Sequence, residues 1–178
     1  MSSPQGDTAA TLRRPSTPAL PANAISDGGP EAGPYLRKFL EYWELKRRQR
    51  SCLPCRADMD PVDLLQLLAD LFLVNTVYAD ADVIFQYRLV GDNVSRINPR
   101  IVPGMTLTGA FPMPTANILS KQYRRVTWAR EPEFRIVPIT THDGGFKRVA
   151  HALAPLAEDG SNVDTVIGMA IDTDHPRR

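Results

Sequence analysis

Cys52-Leu-Pro-Cys55 has the spacing of a redox couple or of half a zinc site, and these are the only two cysteines in the chain. A redox couple needs a helix that starts at its first cysteine to lower that thiol's pKa. Here the pair instead follows a helical stripe and the basic run Lys46, Arg47, Arg48 and Arg50. A zinc site needs two further ligands, but the chain has no second Cys-x-x-Cys, and His142, His151 and His175 are scattered. The pair reads first as incidental cysteines, next as a reversible local disulfide, and last as a metal site. Asp58, Asp60, Asp63 and Asp70 could suggest carboxylate chemistry. Asp60 is placed to cap a helix, however, and the others fall at polar positions, so a solvated surface is the expectation. Neither a phosphate-binding glycine loop nor a Gly-x-Ser-x-Gly nucleophile elbow is present, and nothing in the sequence points to an enzyme.

What remains is a set of side chains that could line a pocket: Tyr87, Arg88, Met105, Ile118, Tyr123, Trp128, His151 and Met169. Small apolar pockets with a few polar groups are the usual form of ligand sites. Apolar residues alternate through Val83, Phe85, Tyr87 and Leu89 and stop at Gly91, which predicts a half-buried strand entering a turn. That alternation puts Arg88 on the opposite face with Gln86, either tying the following loop to the sheet or gripping an anionic ligand. His151 shares a strand face with Val149 and Leu153, as a satisfied core histidine would.

The elements that must position these residues can be read along the chain. Residues 1–30, rich in Ser, Thr, Pro, Ala and Gly, predict a disordered tail, and 31–175 predict one folded domain. An amphipathic helix is expected from Pro34 with Leu36, Phe39, Leu40 and Trp43 on one stripe, and a second helix is expected over Asp60 to Asp70 with Val62, Leu65 and Leu68 or Ala69 on its apolar face. Leu71 to Ala79 predicts a strand buried on both sides, joined by a turn at Asp80-Ala-Asp82 to the strand that carries Tyr87. Short helical turns follow to Gly109. A long helix then starts near Pro114 or Thr115, with Ile118, Leu119, Tyr123 and Val126 on its stripe. Strands over 133–141, 145–153 and 162–171 complete the chain, the first an edge strand or one bulged at Pro138, which cannot donate to a ladder. The fold class expected is α+β, an antiparallel sheet with helices grouped on one face.

Phe85-Gln-Tyr-Arg-Leu-Val-Gly91, with Met105-Thr-Leu-Thr-Gly109 and Ala154-Pro-Leu-Ala-Glu-Asp-Gly160, resembles the PAS family, in particular its compact bacterial members. The resemblance implies a five-stranded antiparallel sheet closed by the helices between strands two and three. It also implies a sensory or signalling module that binds a small ligand or docks a signalling protein. PAS-like domains commonly form homodimers through the leading helix and outer sheet face, which would make Leu36, Phe39, Leu40 and Trp43 a dimer surface, unless the stripe folds back on its own sheet. Haem-binding relatives take an axial histidine from the long helix, and none stands in 114–130. Flavin photoreceptor relatives need a cysteine before that helix, and none stands there either, so haem and flavin are both disfavoured.

Charge and hydropathy narrow the partners. With 21 basic and 20 acidic side chains, no net field draws the molecule to nucleic acid or an anionic membrane. The longest apolar run, around Leu71 to Val74, falls far short of the roughly 18 residues of a membrane span, so the expected location is the cytoplasm.

Overall fold

The computed structural model describes residues 29–79 and 82–175, with side chains from Gly33 onward. The expected tail over 1–30 falls almost wholly outside these residues, as do Asp80 and Ala81 of the expected turn. The described elements are helix α1 (Gly29–Arg50), strands β1 (Leu71–Ala79) and β2 (Asp82–Val90), helices α2 (Asp92–Ile97), α3 (Leu107–Ala110) and α4 (Met113–Ala129), and strands β3 (Glu133–Thr140), β4 (Phe146–Leu156) and β5 (Thr165–Asp172).

The strands form one antiparallel sheet in the order β2-β1-β5-β4-β3, with α2, α3 and α4 between strands two and three as expected. Pro138 lies on β3, an edge strand, where its missing N–H breaks no second ladder. Paired residues share a sheet face, so the register sorts the side chains. Phe72, Val74 and Thr76 of β1, Phe85 and Tyr87 of β2, Val149, His151 and Leu153 of β4 and Gly168 of β5 share the inner face, beneath α4. Ala150, Ala152 and Ala154 of β4 and Ile167, Met169 and Ile171 of β5 lie on the outer face.

Helix α1 covers that outer face. Leu36, Phe39, Leu40 and Trp43 are buried, and the Trp43 indole Nε1–H donates to the Pro155 carbonyl at 2.9 Å. The three alanines of β4 leave room for a helix to approach closely. The stripe expected to be a dimer surface is therefore inside the chain, because the sheet has a second apolar face to cover. Pro34 also does not start α1, which begins at Gly29 and carries Pro34 internally.

The expected helix over Asp60 to Asp70 is instead a run of turns ending in a 3₁₀ turn at Leu68–Asp70. Asp60 does cap it, accepting from the Val62 N–H at 2.8 Å. Bonds such as Leu67 N–H to the Leu64 carbonyl and Asp70 N–H to the Leu67 carbonyl set a period of three. That period buries Leu64 and Leu67 and leaves Val62 and Leu65 exposed. Asp70 is buried as well, accepting from Asn93 Nδ2 at 2.8 Å.

Among the described residues, no helix is long and apolar enough to cross a membrane.

Candidate functional site

The inner face is built from the meeting of β1, β2 and β4 with α4. On α4 the buried positions are Thr115, Ala116, Leu119, Gln122, Tyr123, Val126 and Thr127, a spacing of three and four that turns one stripe toward the sheet. Three of these are polar side chains in positions that the helical period reserves for apolar ones. Opposite them, Phe72 stacks on His151 with ring centroids 5.5 Å apart and planes 12° from parallel. Tyr123 lies 5.1 Å from Phe85 and 5.9 Å from His151, and Phe72 meets Tyr87 edge-on at 5.8 Å. The Phe72 ring can lie so low because Gly168 stands beneath it, where a Cβ would fall 2.1 Å from Cζ.

The polar atoms of this layer are unevenly satisfied. His151 Nδ1 and Gln122 Oε1 are 2.9 Å apart. An amide oxygen only accepts, so Nδ1 carries the proton and donates. By contrast Gln122 Nε2, the Tyr123 hydroxyl, Thr76 Oγ1 and Thr127 Oγ1 are buried without a hydrogen-bond partner. Each such atom costs about 1–3 kcal/mol relative to a satisfied one, so four of them require a reason.

The layer is also uncharged. Burial pushes the His151 pKa down to about 4, with Glu133 opposing weakly, so the imidazole is neutral near pH 7. Burial pushes the Tyr123 phenol up, and Tyr87 adds to it. Tyr87 is raised by the same desolvation, partly offset by Tyr123. The two phenols thus sense each other, although the Tyr123 hydroxyl lacks a partner in hydrogen-bond geometry. At the rim, burial works to raise Glu133, but the guanidiniums of Arg125 and Arg135 outweigh it and hold the carboxyl below its usual range.

Of the expected pocket residues, Tyr87, Tyr123 and His151 come together here. Met105 is partly buried against the core beside β2, where its carbonyl accepts from the Tyr87 N–H at 2.8 Å. Met169 is buried on the outer face, since it pairs with Ala152 and Leu71. Ile118 and Trp128 are 44% and 64% exposed on the solvent side of α4, so neither lines the interior. Ile118 precedes the buried Leu119 by one residue, about 100° around the helix, which carries it off the inward stripe.

Arg88 is exposed, and its guanidinium makes no ion pair or hydrogen bond among the described residues. The register explains why: Leu73 pairs with Leu89 and Val74 with Tyr87, so Arg88 is the extra residue of a β-bulge. The bulge also turns Leu89 outward, breaking the alternation that grouped it with Phe85 and Tyr87. The loop after β2 is tied down elsewhere, by the Gly91 N–H to the Leu71 carbonyl at 2.8 Å and by Asn93 to Asp70.

Gln122, Thr76 and Thr127 were missed by reasoning from sequence. The available signal was their period: Gln122 stands three after Leu119 and four before Val126, which fixes it inward despite its polarity.

Cys52 and Cys55 carry free thiols, the first exposed and the second buried. Among the described residues, no group of three or more His, Cys, Asp or Glu is placed to hold a metal ion.

A sequence profile of the family described as PAS domain matches residues 32–171. No curated protein matches. Among solved structures, the chain is similar to the PAS domain of a protein from Colwellia psychrerythraea at 10% identity and TM-score 0.46, covering 65% of this chain and all of that one. It is similar to a Rhodobacter sphaeroides LOV protein at 12% identity and TM-score 0.44, covering 64% of this chain and 68% of that one. A third is the Drosophila melanogaster Cycle PAS-B domain with bound glycerol, at 10% identity and TM-score 0.40, covering 56% and 96%.

Proposed function

The chain belongs to the PAS domain family, and from that premise we propose that it is a non-enzymatic sensory and signalling module whose inner sheet face receives a small molecule. The observation that carries the reading is the set of buried, unpartnered polar atoms on Gln122, Tyr123, Thr76 and Thr127. A domain selected for stability alone would place apolar groups at those positions, since apolar replacements of the same shape remove the desolvation cost. The lack of any nucleophile elbow or phosphate loop in the sequence supports a role in sensing rather than catalysis.

Native mass spectrometry of the protein purified from its own source tests this. The expected result is a species heavier than the bare chain that loses a small molecule on activation. Protein that is empty in every preparation would remove the ligand reading and leave an interaction module. That second reading has one observation of its own: Val77, Ile84 and Leu89 are 42%, 43% and 46% exposed where β1 and β2 extend beyond the cover of α1. Exposed apolar surface of this kind is where a signalling partner would dock.

A further inference from the structure

We propose that the molecule taken by the inner face is uncharged, with an apolar body and a carbonyl-type oxygen that accepts from Gln122 Nε2 and the Tyr123 hydroxyl. This rests on the ligand reading above and adds the chemistry of the ligand.

The unpartnered groups fix which end of a hydrogen bond the ligand must supply. Gln122 uses its Oε1 on His151, so what remains free is the amide nitrogen, which only donates. The Tyr123, Thr76 and Thr127 hydroxyls can all donate as well. Their side chains are 0% to 7% exposed, so solvent does not satisfy them from outside. A carbonyl oxygen has two lone pairs, so it can accept from Gln122 Nε2 and still take a second donor, and Gln122 and Tyr123 are both buried positions of α4.

Charge decides against the ionic alternatives. The buried polar side chains of the described domain include one formal charge, Asp70, which is engaged with Asn93 beside the start of β1. The nearest rim carboxylate, Glu133, is already held by Arg125 and Arg135. A ligand carboxylate or ammonium on this face would be buried without a counter-ion, which costs far more than hydrogen bonds to neutral donors return. The rings of Phe72, Phe85, Tyr87 and Tyr123, packed against one another, make the surroundings of these donors apolar.

The test uses four probes of one shape on the full chain: benzamide, benzoate, benzamidinium and toluene, followed by thermal unfolding and saturation-transfer NMR. Benzamide is expected to raise the unfolding midpoint with concentration, as a ligand of the native state must. Benzoate, benzamidinium and toluene are expected to bind at least tenfold more weakly. Gln122→Leu should weaken benzamide by a similar factor. Tyr123→Phe keeps the shape of the core: it should weaken benzamide while raising the midpoint of the ligand-free protein, because it deletes an unpartnered hydroxyl. Equal or tighter binding of benzoate or benzamidinium, or of toluene, would overturn the proposed class. A charged molecule found in protein from its own source would overturn the class while leaving the ligand reading intact. If none of the four binds and that protein is empty, both readings fall; a neutral carbonyl compound carried by it supports both.

Discussion

The two faces of one sheet are finished in different ways. On the outer face Leu36, Phe39, Leu40 and Trp43 pack over small alanines, and the single indole N–H of that stripe reaches the Pro155 carbonyl. On the inner face, equally buried positions of α4 hold Gln122, Tyr123 and Thr127, whose amide nitrogen and two hydroxyls find no hydrogen-bond partner. Both faces exclude water, so burial is not what separates them. The difference is that α1 spends its contacts on stability, whereas α4 keeps unmet hydrogen-bonding capacity at a cost to stability. One face is closed with its polar groups met and the other with polar groups left over, which is the asymmetry on which the proposed function rests.

The largest effect should come from the outer face. Trp43→Ala removes a fully buried indole together with its hydrogen bond and should destabilise by about 3–5 kcal/mol, measured by urea unfolding. The matched change inside, Tyr123→Phe, should move stability the opposite way. Similar losses from both would dissolve the contrast between the faces.

Acid should act through the inner face next. The His151 pKa is about 4 in the folded protein against 6.5 for an exposed imidazole. A depressed folded pKa means that the unfolded chain binds the proton first. The stability is therefore fully present above pH 6.5 and is lost as pH falls from 6.5 toward 4. At about 1.4 kcal/mol per unit, the loss across that window is about 3 kcal/mol. Carboxylates held low, such as Glu133, give way only further down. His151→Gln should flatten the slope between about pH 6.5 and 4.5 in unfolding measured across pH, whatever its offset. An unchanged slope would mean that the inner layer is open to water and charge.

Much of this arrangement was legible in the sequence, for reasons that differ by residue. Pro138 pointed to an edge strand or a bulge because a missing N–H is a local fact with few solutions, and the sheet order takes the first. The strand order and the long helix followed from periods and turns at Asp143-Gly-Gly145 and Glu158-Asp-Gly160. Leu89 lies on the other face from the one alternation gives it because a bulge at Arg88 inserts one residue without changing composition, and strict alternation then misplaces every later side chain. Leu36 to Trp43 were correctly read as one stripe, but periodicity cannot say whether the stripe meets its own sheet or a second copy. Gln122 was passed over because apolar pattern-matching discards polar residues, although the period alone fixed its direction. The inner site is hard to read for that reason: the residues that define it are the ones that violate the core pattern.

Gly168 offers a smaller test of how tightly the inner aromatic layer is fitted. A methyl there would fall 2.1 Å from Phe72 Cζ and 2.9 Å from Leu153 Cδ2. The ring must lift from the sheet and disturb its stacking on His151, so Gly168→Ala should cost about 1–3 kcal/mol in urea unfolding. No loss would show that the layer under α4 has room to shift, and the unpartnered atoms could then pair by small movements.

The smallest effect belongs to the far side of the same helix. Trp128 is 64% exposed, and the Arg124 guanidinium over its ring at 5.8 Å is itself paired with Asp82. An indole in that setting has left little water behind on folding, and an exposed cation–π contact adds little more. Trp128→Ala should therefore change stability by no more than about 0.5 kcal/mol at low protein concentration. The same variant separates the two sides of α4, since Trp128 stands five residues after Tyr123 and faces solvent while Tyr123 faces the sheet. A loss approaching that of Trp43→Ala, growing with protein concentration, would mean that the solvent stripe of α4 is buried between molecules. The contrast would then lie between a face closed within the chain and one closed by association.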